Sequence, residues 1–543
     1  MEMVCLASQN GYYRYELTVN KILESGAQSF PTREIVYRDV RRYTRREFSD
    51  SVMRLAGGLK RLGVTRGQRV GVIDWDTDVY LHMYYAVPII GATLHTVNIR
   101  YPPEVILRTI LQAEDKWLLV RDEFLPIIER AKDFFRGIRF IVYSDSKEPV
   151  KTSLEAVQFW DLLQSEPLQE EDADENSVAT IFFTSGTTGN PKGVWFTHRD
   201  LFLHAMSTSL VGSAPPLSLT TKDVYMIFVP MFHVHAWGYP YIFMLSGAKY
   251  VLPGKYDYSL ALRLMAKEGV TYSAMVPTIL HLILSQPDVA NYSEHLRRWK
   301  VIVGGSALPE GLARMARSFG ITVIGGYGLS ETCPVLSVGY YNSLLEDKEE
   351  QTRLIEQISA GAPIPLVKLR VVDEAGRDVP TGSIGEVVAR APWLTREYYM
   401  DPDKTKELWR GGWLHTGDLA YFDELGYLHI VDRDKDAIKS GGEFIPSLLL
   451  ENAISLYPKI GQVAVVGERN EKWGERPVAF IVPKEKIGEE ELRDFLMGLV
   501  GQGKIQKWWI PDKFIFVEAL PLTSTGKVDK KALRDGLQQK RSQ

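Results

Sequence analysis

The chain has 543 residues, more than a single hydrophobic core usually organises, so we expect a large domain and at least one smaller one. Lys and Arg total 64 and Asp and Glu total 68, and this near balance provides no positive field that would hold a nucleic acid. Hydrophobic residues at 45% and charged residues at 24% match ordinary globular proteins, which excludes a disordered or fibrous chain.

Cysteine content and membrane patterning bear on the compartment. Only Cys5 and Cys333 are present, which excludes a disulfide scaffold and leaves no ligand set for structural zinc. Residues 1–20 show neither the basic start nor the apolar stretch of a secretion signal. The uncharged stretch 225–248 has the length of a membrane span, but Pro230 and Pro240 interrupt it. We therefore expect a cytoplasmic monomer or homodimer without a transmembrane segment, and peripheral membrane contact stays open.

In the first third of the chain, helical patterns alternate with strand patterns. Thr44 and Glu47 form a possible capping box, apolar residues then recur at helical spacing over 48–62, and 69–74 is typical of a buried strand. The same order returns in a predicted helix, strand, helix and strand over 102–113, 117–120, 125–135 and 140–143. This alternation predicts a layered α/β architecture, followed by a polar, acidic connection over 144–177.

A second border lies at the charged run 432–436. The residues after it have their own pattern, with predicted strands and one amphipathic helix at 463–466, 479–482, 489–500 and 514–517. That is enough for a compact α+β unit, so the run can be a hinge between two domains. An ordinary exposed turn explains the same composition equally well.

The segment 178–193, VATIFFTSGTTGNPKG, carries the strongest chemical signal. A β-rich apolar run ends at Thr184, and a loop of small and hydroxylated residues then leads to Lys192, through Ser185, Gly186, Thr187, Thr188 and Gly189. Glycines let backbone N–H groups turn toward an anion, and hydroxyls and a lysine complete the set that a polyphosphate requires. The loop is not a Walker A motif, because Pro191 precedes Lys192 and Gly193 follows it. A flexible surface loop is the alternative on these residues alone.

From about Tyr43 to Lys530 the chain resembles the superfamily of acyl-adenylate-forming (ANL) enzymes, which includes acyl-CoA synthetases, adenylation domains of peptide synthetases and luciferases. Five signatures occur in the family order, at 184–193 for the phosphate loop, 327–332 for the aromatic-Gly-x-(Ser/Thr)-Glu motif, 416–418 for Thr-Gly-Asp, 433–442 for Arg-x-x-Asp-x-Ile-Lys followed by glycines, and 521–527 for Pro-x-Thr-x-x-Gly-Lys. Their order makes a chance match negligible.

The resemblance implies a fold and a two-step reaction. It implies a large adenylate-forming domain of several subdomains at 1–432, a hinge at 433–436 and a small mobile α+β domain at 437–543. A carboxylic acid and ATP would give acyl-AMP and pyrophosphate, with Mg²⁺ required, and the thiol of coenzyme A would then take the acyl group. Attack of one anion on another makes positioning and charge neutralisation the main tasks of such a site.

The resemblance also assigns roles residue by residue. Catalytic roles fall to Lys527, Lys192, Glu331 and His233, with Thr184 and Glu331 as Mg²⁺ partners and Lys435 as the hinge residue. Nucleotide or cofactor contacts fall to the phosphate loop Thr184, Ser185, Gly186, Thr187, Thr188 and Gly189, to Gly304, Gly305, Ser306, Gly326, Tyr327, Gly328 and Thr332, and to Asp418, Arg433, Lys439, Gly441 and Gly442. Of these, Tyr327 would stack on the base, Asp418 would accept from the ribose hydroxyls, and Arg433 would close the other side.

The segment FHVHAWG, 232–238, concerns the acid. His233 and His235 would share one face of a strand, but no third ligand is nearby, so metal binding is disfavoured. Amino-acid-activating relatives carry Asp where this chain has His233, which disfavours an amino acid. Trp237 matches a gate position between the ATP site and an acyl tunnel in long-chain fatty acyl-CoA synthetases, and plain wall packing is the alternative.

The resemblance is nearest to medium- and long-chain fatty acyl-CoA synthetases. Two departures from the family pattern are Glu397, where Gly is common before the aromatic pair, and Phe444, where long-chain relatives often have Trp. Three alternatives stay open: an aryl-acid CoA ligase, an adenylation enzyme that loads a carrier protein in trans, and a non-enzymatic nucleotide-binding descendant of the fold. The non-enzymatic alternative is disfavoured because the signature residues are intact at Lys192, Glu331, Asp418 and Lys527.

Overall fold

The computed structural model describes residues 15–169, 173–184, 191–345, 347, 349, 359–441 and 443–541. Two large mixed sheets form the centre of the chain up to about residue 400. The first contains nine described strands, in spatial order Ala362–Pro363, Val335–Val338, Thr322–Gly328, Lys300–Val303, Tyr272–Met275, Val224–Met226, Lys249–Leu252, Glu34–Tyr37 and Arg41–Thr44. Its central strands are parallel, so their carboxyl ends meet at one edge, where ligand sites of such sheets occur.

The second sheet contains eight described strands, in the order Tyr398–Tyr399, Lys192–Thr197, Val178–Thr184, Thr93–Thr96, Arg69–Ile73, Trp117–Arg121, Arg139–Tyr143 and Ala156–Gln158. Its central strands are buried along their whole length, as the near-continuous apolar sequence of Trp117–Arg121 requires. The helix Asp78–Ile89 is buried on every side within the shared core. This packing fixes the two sheets relative to each other and so fixes the residues that follow their strands.

Helices cover both sheets and the small C-terminal unit. The α-helices are Val19–Ser29, Arg45–Arg61, Asp78–Ile89, Pro103–Ala113, Leu125–Arg130, Phe159–Leu162, His198–Gly212, Tyr239–Ser246, Tyr258–Glu268, Pro277–Leu284, Ser293–Leu296, Glu310–Ser318, Pro402–Leu408, Ser447–Ser455, Glu489–Gly501 and Lys530–Arg541. Short 3-10 segments lie at Asp122–Phe124, Lys132–Phe134, Val289–Tyr292, Ser330–Thr332 and Lys507–Trp509.

Two smaller sheets complete the chain. One holds Lys368–Val372, Gly385–Arg390, Trp413–Phe422 and Trp409–Arg410, with Leu428–Arg433 paired to Trp413–Phe422. The other holds Glu443–Ile445, Ile438–Ser440, Gly474–Pro483 and Ile460–Asn470, with Lys513–Phe516 paired to Gly474–Pro483. The last sheet and its helices enclose hydrophobic clusters of their own, formed by residues from Ile438 to Leu537. The division of the chain at 433–436 remains a prediction that these separate cores favour.

Several local predictions can be compared directly with the structure. The capping box is present, because Thr44 Oγ1 accepts from the Glu47 N–H at 3.2 Å and Glu47 accepts from the Thr44 N–H at 2.7 Å. The helix predicted over 125–135 is shorter in the structure. It ends at Arg130, and a separate 3-10 turn follows at Lys132–Phe134. Within the described part of the chain, no helix is both long and apolar enough to cross a bilayer, which agrees with the interpretation of 225–248.

Candidate active site

A cleft opens where the strands Lys300–Val303 and Thr322–Gly328 end. Its walls include His233, Trp237, Gly304, Tyr327 and Lys527, which the sequence had assigned to the site from distant parts of the chain. The apolar part of the wall contains Val234, Tyr239, Ile302, Leu329, Val335 and Val338. This one cleft is therefore lined by predicted nucleotide-binding residues, by predicted acid-binding residues and by the lysine of the small domain.

Glycines form one side of this cleft because no side chain fits there. A Cβ on Gly304 would lie 2.8 Å from the Gly326 carbonyl oxygen and 3.3 Å from the Trp237 ring. Gly305 has φ +78°, and its Cβ would lie 3.1 Å from Lys527 Cε. A Cβ on Gly328 would overlap the Pro334 carbonyl. The backbone therefore approaches the cleft closely. Ser306, the residue after Gly305, is exposed.

Asp418 lies behind the polar part of the cleft wall, in contact with Tyr327. Its carboxylate accepts from the Tyr327 hydroxyl at 2.8 Å and lies 3.1 Å from Arg433 Nε. Arg433 pairs with Asp418 across the two neighbouring strands that carry them, so the sheet register places them together. With the side chain 5% exposed, Asp418 keeps lone pairs on two oxygens for further donors. That Asp418 accepts from two ribose hydroxyls stays a prediction.

Lys527 enters the cleft from the small domain. Burial lowers the pKa of Lys527 to about 8, the Arg433 guanidinium adds repulsion, and the carboxylates Asp418 and Glu331 act in the opposite direction. The loop that carries it is closed by the Thr523 N–H, which donates to the Lys527 carbonyl at 2.7 Å. The structure therefore shows the arrangement in which this lysine faces the predicted nucleotide wall.

Glu331 and Lys192 are joined through Tyr398. The Tyr398 hydroxyl donates to Glu331 Oε1 at 2.7 Å, and Lys192 Nζ lies 4.5 Å from the centre of the Tyr398 ring. Lys192 is also paired with Thr184 across the hairpin that carries the phosphate loop. Tyr398 thus brings the predicted metal carboxylate and the predicted phosphate lysine to one place.

The donor set at this place suits Mg²⁺ held together with a polyphosphate. Glu331 and Thr184 offer hard oxygen ligands, and among the described residues no group of three His, Cys, Asp or Glu side chains is placed to hold a metal alone. Mg²⁺ is commonly bound by one or two protein oxygens, substrate phosphates and water. The residues therefore fit a metal that arrives with the nucleotide.

The segment Val234–Gly238 differs from the strand that the sequence analysis assumed. Its five residues have positive φ values of 38°, 57°, 50°, 58° and 78°, a left-handed turn that L-residues rarely adopt. His233 therefore faces the cleft, while His235 lies between the rings of Phe182 and Phe196 at 5.1 and 5.5 Å. The two histidines do not share a face, which removes the remaining geometric basis for a metal pair.

Burial sets the ionisation of both histidines. It lowers the pKa of His233 to about 3, with Lys527 and Arg100 acting in the same direction, and it lowers the pKa of His235 to about 3 as well. Both rings are therefore neutral at physiological pH. Trp237, from the same turn, is 6% exposed and borders both Gly304 and the apolar wall.

Three expected nucleotide-binding residues lie in other surroundings. The Thr332 hydroxyl is buried in its own turn, where it accepts from the Leu329 N–H at 2.9 Å and donates to the Pro334 carbonyl. It shapes the loop that carries Glu331, and its contact with a nucleotide stays a prediction. Lys439 and Gly441 lie on the hairpin of the small domain beside Phe444 and Trp473, and neither borders the cleft in this arrangement. Ser185, Gly186, Thr187, Thr188, Gly189 and Gly442 lie outside the described residues.

The sequence analysis missed four residues that the structure places around the site. Tyr398 holds Glu331, and Asn98 and Arg100 contact Ser524 in the Lys527 loop. Tyr398, Asn98 and Arg100 belong to no motif used above, and Ser524 is a variable position of the 521–527 signature. The contacts join residues 67 to 426 positions apart in sequence. The sequence analysis had noted the aromatic pair 398–399 only because Glu397, where Gly is common, precedes it.

Comparison with known proteins agrees with this geometry. The AMP-binding enzyme family model matches residues 23–399, and the model of the AMP-binding enzyme C-terminal domain matches residues 449–527. A long-chain-fatty-acid–CoA ligase of Thermus thermophilus is 40% identical over 96% of this chain and 95% of its own length. A medium-chain-fatty-acid–CoA ligase of Ectopseudomonas oleovorans is 35% identical over 96% of both chains.

A crystal structure of an anthranilate CoA ligase in complex with anthranoyl-AMP supports the fold. It superimposes with a TM-score of 0.86 at 23% identity, covering 98% of this chain and 99% of that one. The fold class and the family resemblance are thereby confirmed. The chain belongs to the AMP-binding enzyme family of the ANL superfamily and is an AMP-forming ligase. ATP, Mg²⁺ and coenzyme A are the nucleotide, metal and acyl acceptor of that class of CoA ligases.

Proposed function

We propose that the protein activates a medium- or long-chain fatty acid as acyl-AMP and transfers the acyl group to coenzyme A. The observation that carries this proposal is the position of Lys527, which lies in one cleft with the glycine wall and the apolar surface around Trp237. The Asp418 carboxylate is close enough to act on the pKa of this lysine. Two relatives whose names state long-chain and medium-chain fatty acids support the class of acid. The apolar lining of the cleft supports a fatty acid independently, because transfer of an alkyl chain from water to an apolar surface is favourable.

In the first step, a carboxylate oxygen forms a bond to the α-phosphorus of ATP, and the bond to the pyrophosphate oxygen breaks. The Lys527 ammonium lies where it can neutralise both the attacking carboxylate and the α-phosphate oxygens. His233, neutral in its buried position, can donate one N–H to the carboxylate and so orient it. Lys192, which lies over the Tyr398 ring, would face the outgoing phosphates. Glu331 and Thr184 would hold Mg²⁺, which screens phosphate charge.

In the second step, the thiolate of coenzyme A attacks the acyl carbon and AMP leaves with the electron pair of the broken bond. Lys527 has no part in this step, and its withdrawal would open the cleft to the thiol. The hairpin with Lys439, Gly441 and Phe444 would then face the site in its place. Rotation of the small domain about Lys435, which lies in the turn after Leu428–Arg433, would exchange the two arrangements.

Pyrophosphate release from ATP and a series of fatty and aryl acids, with and without coenzyme A, tests the proposal. We expect release that depends on the acid, highest for alkyl acids of medium or long chain, and continuous turnover only with coenzyme A. A preference for aryl acids would favour the aryl-acid ligase. Acid-dependent release without any acyl-CoA would favour the loading of a carrier protein.

The compartment and the assembly state also remain proposals. We infer a cytoplasmic enzyme, because Cys333 is a free, buried thiol and no disulfide pairs were expected from the sequence. A monomer or a homodimer agrees with the activity equally well, and a nucleic-acid partner has no support in the charge balance.

Trp237→Ala is expected to broaden the range of accepted acyl lengths while pyrophosphate release persists. Trp237 fills the space between Gly304 and the apolar wall, and one methylene in such a pocket changes binding by about 1–3 kcal/mol. Relative kcat/KM across the acid series measures the effect, with Trp237→Phe as the matched control. An unchanged length profile together with a lower Tm would make Trp237 a packing residue only.

Lys435→Pro is expected to impair thioester formation more than acyl-AMP formation. Proline fixes φ near −65°, so a residue that must change its backbone angles between the two steps can no longer do so. Single-turnover measurement of each step separates the effects, and Lys435→Ala, which removes the same side chain but leaves φ free, is the matched control. If both steps proceed at the wild-type rate, the hinge lies at another residue.

A further inference from the structure

The loop that carries Lys527 is tied to the large domain by two side chains. Asn98 Nδ2 donates to Ser524 Oγ at 3.0 Å, and Arg100 Nη1 donates to the Ser524 carbonyl oxygen at 3.4 Å. Both donors follow the strand Thr93–Thr96, which pairs in parallel with Val178–Thr184 in the second sheet. Ser524 lies three positions before Lys527, so a contact at Ser524 acts close to the catalytic lysine.

The loop transmits this contact to Lys527 because it is internally hydrogen bonded. The Thr523 N–H donates to the Lys527 carbonyl at 2.7 Å, and the Lys527 N–H donates to Thr523 Oγ1 at 3.2 Å. Gly526, at φ +82°, closes the turn between them with a bond from its N–H to the Thr523 carbonyl at 3.0 Å. Fixing Ser524 therefore fixes the backbone from which the lysine extends.

The large-domain side of the contact is already ordered. The Arg100 N–H donates to Asn98 Oδ1 at 3.0 Å, which orients the amide so that its NH₂ group faces Ser524. The Arg100 guanidinium lies 5.2 Å from the Tyr256 ring centre and 5.9 Å from that of Phe232, the residue before His233. Asn98 is 6% exposed. Contacts within the large domain therefore already hold Asn98 and Arg100 in position to donate to the Lys527 loop.

A separate contact between the domains provides a comparison. The Glu310 N–H, at the start of the helix Glu310–Ser318, donates to Asn452 Oδ1 at 3.1 Å. This bond joins the same two domains but does not involve the Lys527 loop. It therefore distinguishes general docking of the small domain from positioning of the lysine.

We propose that Asn98 and Arg100 are positioning residues for adenylation, which hold Ser524 and so keep Lys527 in the cleft during the first step. This inference rests on the proposed two-step reaction. In the second step the loop leaves, so the same contacts are absent from the arrangement that forms the thioester. Removing them should therefore lower the first rate and spare the second.

Asn98→Ala, Arg100→Ala and Ser524→Ala test the inference in single-turnover assays of the two steps. Loss of one neutral hydrogen bond is expected to slow acyl-AMP formation about fivefold, and loss of the arginine about tenfold or more. Transfer from supplied acyl-AMP to coenzyme A should remain within about twofold of wild type. The effects of Asn98→Ala and Ser524→Ala should not add in the double variant, because both remove the same bond. Asn452→Ala, the matched control, should leave the ratio of the two rates unchanged.

Hydrogen exchange of the backbone amides over 521–529 gives a readout that does not depend on activity. We expect faster exchange in Asn98→Ala than in wild type, and wild-type exchange in Asn452→Ala. Equal loss of both steps, or wild-type rates together with wild-type exchange, would overturn the positioning role. If wild type itself releases no pyrophosphate, the proposed function fails, whereas the exchange experiment still decides whether Asn98 holds the loop.

Discussion

Lys527→Ala is expected to abolish acyl-AMP formation from acid and ATP, while conversion of a supplied acyl-adenylate to acyl-CoA survives. The lysine lies half-buried beside the glycine wall. There its positive charge would neutralise the attacking carboxylate and the α-phosphate as the bond forms. Loss of one such electrostatic group costs about 10²–10³ in rate when it acts mainly on the transition state. A lysine in a solvated C-terminal tail would show no such effect.

The two half-reactions must be measured separately to decide this. Pyrophosphate formation reports the first step, and acyl-CoA formation from synthetic acyl-AMP reports the second. Lys531→Ala, at an exposed position nearby, is the matched control and should leave both rates unchanged. A folded Lys527→Ala variant that adenylates normally, or that loses both steps equally, would contradict the two-arrangement mechanism.

The pH dependence of the first step follows from the same burial. Because burial lowers the pKa of Lys527 to about 8, the ammonium loses its proton as the pH rises through that value in the free enzyme. The kcat/KM for adenylation is therefore expected to fall above about pH 8, whereas transfer from supplied acyl-AMP should lack this decline. In Lys527→Arg the decline should move to higher pH, since a guanidinium stays protonated. An identical decline in the arginine variant would assign the titration to another group.

Glu331→Gln is expected to lower adenylation about 100-fold or more and to change the Tm little. The amide keeps the shape of the side chain and can still accept from the Tyr398 hydroxyl, but it loses the charge that favours a divalent cation. Binding of ATP, measured by calorimetry with and without Mg²⁺, should lose most of its dependence on Mg²⁺ in this variant. Tyr398→Phe, which removes only the hydrogen bond, should produce a smaller loss in the same direction.

Assays at saturating Mg²⁺ and ATP can contradict the assignment of Glu331 as a metal ligand. If Glu331→Gln matches wild type in rate at saturating Mg²⁺ and ATP, and its ATP binding keeps the full dependence on Mg²⁺, Glu331 does not hold the metal. A large fall in Tm together with equal loss of both half-reactions would instead give Glu331 a structural role through Tyr398.

The sequence predicted those parts of the molecule that depend on local pattern. The capping box at Thr44 and Glu47, the alternation of helices and buried strands and the separate C-terminal unit all follow from spacing along the chain. The motif residues Gly304, Tyr327 and Lys527 were assigned to one site because they match the family, and the structure places them around one cleft.

The parts that were missed depend on contacts between distant segments. The sequence of Val234–Gly238 does not predict a left-handed turn, because four of the five residues carry a Cβ and such residues normally avoid positive φ. The surrounding core imposes it, with His235 held between Phe182 and Phe196. Tyr398 and Asn98 were missed for a related reason, because their partners are set by the packing of separate sheets and domains.

The most direct test of the account is the product analysis of a reaction with ATP, Mg²⁺ and a fatty acid, first without and then with coenzyme A. The account predicts pyrophosphate and enzyme-bound acyl-AMP without coenzyme A, and continuous production of AMP, pyrophosphate and acyl-CoA once coenzyme A is added. Formation of ADP and phosphate, or no pyrophosphate with any acid of the series, would contradict it.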